Sequence, residues 1–339
     1  MCPFKEIPMK TKFTVFLCIL LSLSLFAALC GCSGGETDPK QKSGLQVVCV
    51  GFPEYDWARN ILGGNPGNVS LSLIIDNGAD PHSYQATVQD IAEITSCDLL
   101  IHTGGVSDQW VADALRAGAA DTLTEINMLS LLADRLVEEE IVEGMEAEEE
   151  DAGAEEGPEL DEHVWLSLRN SALVCEEICS RLSELDADNA AAYRANCDKY
   201  LTSLDALDEE FESFLSGAAL NTVLVADRFP FRYLTEDYGM DYYAAFVGCS
   251  SETNASFETV LFLAEKRSEL SLPAVLILDG SDGEIAKAVL QNSKGGEDCD
   301  ILTLDSLQSV TREQIEDGKT YLSVMENNLS VLRQALGAE

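Results

Sequence analysis

Short runs of β-branched and apolar residues alternate with helical patterns along most of this chain. The runs lie at 46–51, 69–75 and 99–102 in the first half, and at 222–226, 242–246, 274–279 and 301–304 in the second. Strand-length runs separated by helical stretches predict α/β layers with mostly parallel sheets. Between the halves, 186–216 carries Tyr193, Cys197, Tyr200, Leu201, Leu204, Leu207, Phe211, Phe214 and Leu215 at spacings of three and four. That spacing predicts one amphipathic helix of about 30 residues, roughly 45 Å long, with Asp186 or Asp188 capping its start and Gly217 its end. The expected organisation is an N-terminal α/β lobe over 46–185, a rigid connecting helix over 186–217 and a C-terminal α/β lobe over 218–339. Ligands of such folds lie in the cleft at the carboxyl ends of the strands.

Two segments break the rhythm. Residues 138–162 carry fourteen carboxylates with Gly144, Gly153, Gly157 and Pro158. They lack apolar periodicity, which predicts a mobile acidic loop, either a solvated insertion or a weak cation collector. At the N-terminus, Lys5, Lys10 and Lys12 precede an uncharged apolar run over 13–28 that ends in Leu29-Cys30-Gly31-Cys32. This reads as a lipoprotein signal peptide over 1–31, with Cys32 acylated and 32–45 a polar tether. Cys30 is the poorer acylation site, because Leu29 would occupy the cleavage position. The run is shorter than the roughly 20 residues a bilayer-spanning helix needs. The protein is therefore expected at the outer face of the cytoplasmic membrane, held by lipid.

The formal charge of −39 repels phosphate and excludes nucleic acid as a partner. The seven cysteines after Cys32 have no paired C-x-x-C spacing, so they form no disulfide framework. Only three histidines are present, and two share a context: Asp80-Pro81-His82-Ser83-Tyr84 and Asp161-Glu162-His163-Val164-Trp165. Imidazole is a common ligand of zinc and manganese, and a nearby carboxylate is the usual partner that fixes its tautomer. His102, at a strand end, reads as a packed or cleft-lining residue. Neither a His-Glu-x-x-His helix, a Gly-x-Ser-x-Gly elbow nor a phosphate-binding loop occurs, so an enzyme is not expected.

These motifs, with Phe231-Arg232-Tyr233-Leu234, Tyr238-Gly239-Met240 and 302–307, resemble the cluster A-I solute-binding lipoproteins of ABC importers for zinc and manganese. The likeness runs from Val47 to Leu336. It implies His82 and His163 as metal ligands and Asp305, at a strand end, as a further one. It also implies capture of a divalent ion, zinc before manganese, and delivery to a membrane permease docking across both lobes. A monomer is expected. The family's third ligand falls on Arg228, which stays protonated and cannot coordinate a cation. Asp227, if the strand bulges, Asp279 or water would supply one further oxygen, and a Cys249 thiolate reaching the site would change the choice of metal. Alternatively, Arg228 pairs with a carboxylate of a metal chelate or an anionic small molecule. Protonation of both histidines predicts metal release as pH falls below about 6.

Overall fold

The computed structural model describes residues 44–146, 159–250 and 254–337. The signal peptide, Cys32 and the tether up to Ser43 lie outside the described residues, as does 147–158 of the acidic loop.

Two four-stranded parallel sheets form the two lobes. In the first, β1 (Gln46–Cys49), β2 (Ser70–Leu73), β3 (Leu99–His102) and β4 (Thr124–Asn127) lie in the order β2-β1-β3-β4. In the second, β5 (Thr222–Phe229), β6 (Asp241–Val247), β7 (Ala274–Leu278) and β8 (Asp300–Leu304) lie in the order β6-β5-β7-β8. Alternate residues of each strand enter different apolar layers, as the pleat dictates. Val47 and Cys49 of β1 join the large central core, whereas Val48 joins an outer layer with Leu100, Ile94 and Val111. On β5, Val223 and Val225 face the central core while Leu224 and Ala226 pack outward with Leu263, Val275 and Val289. Burial on both faces explains why these strands read as continuous apolar runs.

β4 is the strand that apolar patterning misses. Its sequence, Thr-Glu-Ile-Asn, buries only Ile126, and it forms as an edge strand because β3 templates it. The connecting helix spans Ala190–Leu215, 26 residues, and follows a short 3₁₀ turn at Ala187–Asn189. It is about 39 Å long. Asp186 accepts from the Tyr193 hydroxyl at 2.6 Å and from the Asn189 amide, bracing the turn instead of capping the helix directly. One helix face, with Tyr193, Cys197, Tyr200, Leu204, Leu207 and Phe211, is buried in the central core. It packs against Phe52–Leu62 of the first lobe and Tyr321–Ala335 of the second. A rod sharing one core with both lobes resists wide hinging.

The ends of the acidic loop are ordered, contrary to expectation. Glu138 pairs with Leu160, the Glu139 amide donates to Glu159 O at 2.8 Å, and the Asp161 amide donates to Val137 O at 3.0 Å. Further along, the Glu146 amide donates to Ala245 O at 3.0 Å, bringing 138–146 to the edge of β6. Leu136, Val137, Val142 and Met145 pack on the central core. These scattered apolar residues are the anchoring signal hidden among the carboxylates.

Candidate metal centre

The site gathers loops from the carboxyl ends of both sheets. After β2, Asp80 caps a 3₁₀ turn over Pro81–Ser83, its Oδ1 accepting from the His82 amide at 3.0 Å. Proline at the first position suits such a turn, because its missing N–H would have no partner there. His163 leaves the acidic loop fully buried, and its amide donates to Asp161 Oδ1 at 2.8 Å. The two Asp-x-His segments thus build the same backbone device and bring the His82 and His163 Nε2 atoms to 3.1 Å.

The far sides of both rings are engaged. His163 Nδ1 lies 3.1 Å from Asp161 Oδ1, and His82 Nδ1 lies 2.7 Å from Ser107 Oγ. With Nδ1 protonated and donating outward, an imidazole keeps its Nε2 lone pair for a metal, and here the two Nε2 atoms face each other. Two nitrogens held about 2.0–2.1 Å from a tetrahedral ion stand roughly 3.3–3.4 Å apart, close to the observed separation. Burial lowers the His82 imidazole to about 3, aided by the neighbouring His163 and Arg228 and opposed by Asp80. The ring is neutral, the form that ligates.

Supporting residues tie the two turns together. Gly104 and Gly105 follow β3 with φ of 90° and 78°, and a Cβ on Gly105 would stand 2.0 Å from Glu162 Oε1. Only glycine fits there, and the Glu162 carboxylate accepts from the Val106 and Ser107 amides. Glu162 thus holds the loop whose Ser107 orients His82. Trp165 lies edge-on to His163, with ring centroids 5.3 Å apart, and its Nε1 donates to Ser306 O at 2.9 Å. These contacts account for the carboxylate and the aromatic in the second motif.

The remaining candidates are placed differently from expectation. Asp305 does not join the histidines: its carboxylate accepts from the Leu307 amide at 2.9 Å and pairs with Lys319 Nζ at 2.6 Å. Leu307 has φ of 64°, so the chain turns sharply after β8 and presents Gln308, whose side-chain Nε2 lies 3.1 Å from His163 Nε2. Asp279 Oδ1 accepts from the Ser306 amide and hydroxyl, joining the end of β7 to this turn. The register of β5 does shift between Val225 and Arg228, but Asp227 turns back to accept from the Arg228 amide at 2.9 Å. Arg228 donates to Asp80 Oδ2 at 2.6 Å and to Ser250 O at 3.3 Å. His102 is packed, with Nδ1 3.2 Å from Asp108 and Nε2 2.8 Å from Glu125.

Among the described residues, one group of three side chains converges as a metal site would: His82, His163 and Cys249, with ligand atoms within 4.8 Å of one another. Gln308 escaped sequence reasoning altogether, because only the left-handed turn at Leu307 reveals its reach. Burial pushes the Cys249 thiol up, as do Glu139, Asp161 and Glu162. A cavity of about 410 Å³ opens onto His82 and Cys249, walled by Tyr84, Trp110, Glu159 and Glu162.

The zinc-binding lipoprotein AdcA of Streptococcus pneumoniae is 28% identical over 334 residues, covering 97% of this chain and 62% of its own length. The chain thus spans less than two thirds of the AdcA relatives it matches. The metal ABC transporter substrate-binding lipoprotein SsaB of Streptococcus sanguinis is 27% identical over 320 residues, covering 93% of this chain and 97% of its own. In fold, the chain resembles the Zn(II)-bound ZnuA-like domain of S. pneumoniae AdcA, with a TM-score of 0.68, 24% identity and coverage of 86% and 99%. It also resembles the periplasmic zinc-binding protein TroA of Treponema pallidum, with a TM-score of 0.66, 19% identity and coverage of 87% and 99%. Residues 47–335 match the family described as zinc-uptake complex component A, periplasmic, and the chain belongs to that family.

Proposed function

We propose that this protein captures a divalent metal ion, zinc in preference to manganese, outside the cytoplasm and delivers it to an ABC permease. One observation carries the reading: the two Nε2 atoms of His82 and His163 meet at 3.1 Å while both Nδ1 atoms are engaged on the opposite side. Family membership supports it, as do two relatives, the zinc-binding lipoprotein AdcA and the metal ABC transporter substrate-binding lipoprotein SsaB. His82 and His163 are the nitrogen ligands in this account, and Gln308, whose Nε2 lies 3.1 Å from His163 Nε2, borders them. Acylation at Cys32 would anchor the protein to the outer face of the membrane, consistent with the lipoprotein relatives.

The alternative cargo, a chelate or anion held by Arg228, loses its physical basis. The guanidinium is already paired with Asp80 at 2.6 Å and with a backbone carbonyl. A docked anion would have to displace a carboxylate that is itself partly buried.

Calorimetric titration of the chelator-stripped protein with zinc and with manganese tests the reading, beside a His82→Ala, His163→Ala double variant. Tight one-to-one zinc binding that disappears in the variant is expected. Binding that ignores both substitutions would refute it.

A further inference from the structure

We propose that Cys249 supplies a third metal ligand, a thiolate that replaces the side chain lost at Arg228 and makes the centre selective for zinc over manganese. The proposal rests on the metal-binding reading above and specifies its donor set.

The sheet topology shows how a ligand can move. β5 and β6 are parallel neighbours, and Arg228 lies opposite Phe246 in their register. Cys249 is three residues beyond Phe246, in the loop leaving the carboxyl end of β6. A donor missing at the end of one strand is thus supplied from the end of the strand beside it, on the same rim of the cleft. Sγ of Cys249 and one ring nitrogen each of His82 and His163 lie within 4.8 Å of one another.

Three separate contacts hold this loop in place. A Cβ on Gly248 would stand 2.9 Å from both His163 Cε1 and Phe229 O, so the absence of a side chain lets the loop lie against the imidazole. The Cys249 amide donates to Glu139 Oε1 at 3.0 Å. Arg228 donates from Nη1 to Ser250 O at 3.3 Å and from Nη2 to Asp80 Oδ2 at 2.6 Å. Arg228 is therefore a positioning residue: one guanidinium fixes both the Cys249 loop and the turn that carries His82.

Donor chemistry then sets the choice of ion. Zinc accepts four-coordinate mixtures of imidazole and thiolate, with sulfur about 2.3 Å and nitrogen about 2.0–2.1 Å from the ion. Manganese favours hard oxygen donors and gains little from sulfur. On binding, the thiol loses its proton to solvent as the sulfur–metal bond forms, and no electrons change hands.

Cobalt(II) is the probe, titrated into the reduced, chelator-stripped protein and into Cys249→Ser. The wild type should show an intense near-ultraviolet sulfur-to-cobalt charge-transfer band. The variant should lose that band yet still bind cobalt through its histidines. Zinc affinity should fall about 10–100-fold in the variant, a loss of the size expected for weakened metal ligation, with manganese affinity nearly unchanged. Cobalt bound by the wild type without the band, or an unchanged zinc-to-manganese ratio in Cys249→Ser, would overturn the assignment while leaving the two-histidine site intact. A wild type that binds neither cobalt nor zinc would overturn the metal-binding reading itself. Should Cys249→Ser fail to fold, alkylation of wild-type Cys249 by iodoacetamide, followed by peptide mass spectrometry, decides the matter. Protection by saturating zinc is expected, and undiminished alkylation would overturn the proposal.

Discussion

Arg228 Nη2 donates to Asp80 Oδ2 at 2.6 Å, joining the end of a C-lobe strand to the N-lobe turn that presents His82. Both side chains are about one-fifth exposed. Such a pair is worth more than a surface ion pair, and removing one partner strands the other. Arg228→Met should cost about 1–2 kcal/mol of stability and should weaken zinc binding by loosening the His82 turn. Denaturant unfolding with and without zinc measures both effects. An unaltered unfolding midpoint would show that the pair is ornamental.

The close approach of Gly248 to His163 makes a sharper demand. Gly248→Ala places a methyl group 2.9 Å from a backbone carbonyl as well as from the ring, and the carbonyl cannot swing aside. Overpacking of this kind costs typically about 1–3 kcal/mol. Displacing His163 should cost more than about tenfold in zinc affinity, with the far-ultraviolet circular dichroism retained. Wild-type affinity in this variant would mean that the loop has room the structure denies it.

Asp161 holds His163 from behind, accepting from its backbone amide and meeting Nδ1 at 3.1 Å. Carboxylate partners of ligating imidazoles are commonly worth about 10–100-fold in metal affinity. Asp161→Asn keeps an acceptor but removes the charge, so a loss toward the lower end of that range is expected in a chelator competition assay. No loss at all would indicate that His163 needs no orientation.

Away from the metal, His102 gives the fold a dependence on alkaline pH. Burial lowers its pKa, but the hydrogen bonds that its ring nitrogens donate to Asp108 and Glu125 outweigh burial and raise it to about 9. In an unfolded chain the imidazole titrates near about 6.5. The charged ring therefore stabilises the fold fully below that value, and the contribution disappears as pH rises through about 9. With Glu125 partly solvent-screened, the amount at stake is about 2 kcal/mol. Denaturant midpoints from pH 6.5 to 10 should fall more steeply in the wild type than in His102→Gln. Parallel curves for the two proteins would exclude the mechanism.

Much of this architecture is legible in the amino-acid sequence, for identifiable reasons. Strands buried on both faces, such as Val47–Val48–Cys49 with its two cores, leave unbroken apolar runs, and the connecting helix leaves a stripe of period three and four. Edge strand β4 was hidden because a strand templated by its neighbour needs little hydrophobicity of its own. At the proposed metal centre, the paired Asp-x-His segments point to both imidazoles, since each ring and the carboxylate beside it are adjacent in the chain. Gln308 and the convergence of Cys249 were hidden because each depends on a backbone event. Leu307 in the left-handed region redirects the chain past Asp305, and Gly248 allows an approach that no residue pattern encodes.

X-ray absorption at the zinc edge of the stoichiometrically loaded protein tests the central claim most directly. The account predicts a four-coordinate first shell with imidazole multiple scattering from two rings, nitrogen at about 2.0–2.1 Å, and loss of that signature in His82→Ala, His163→Ala. A first shell of oxygen alone, with no imidazole scattering, would contradict it.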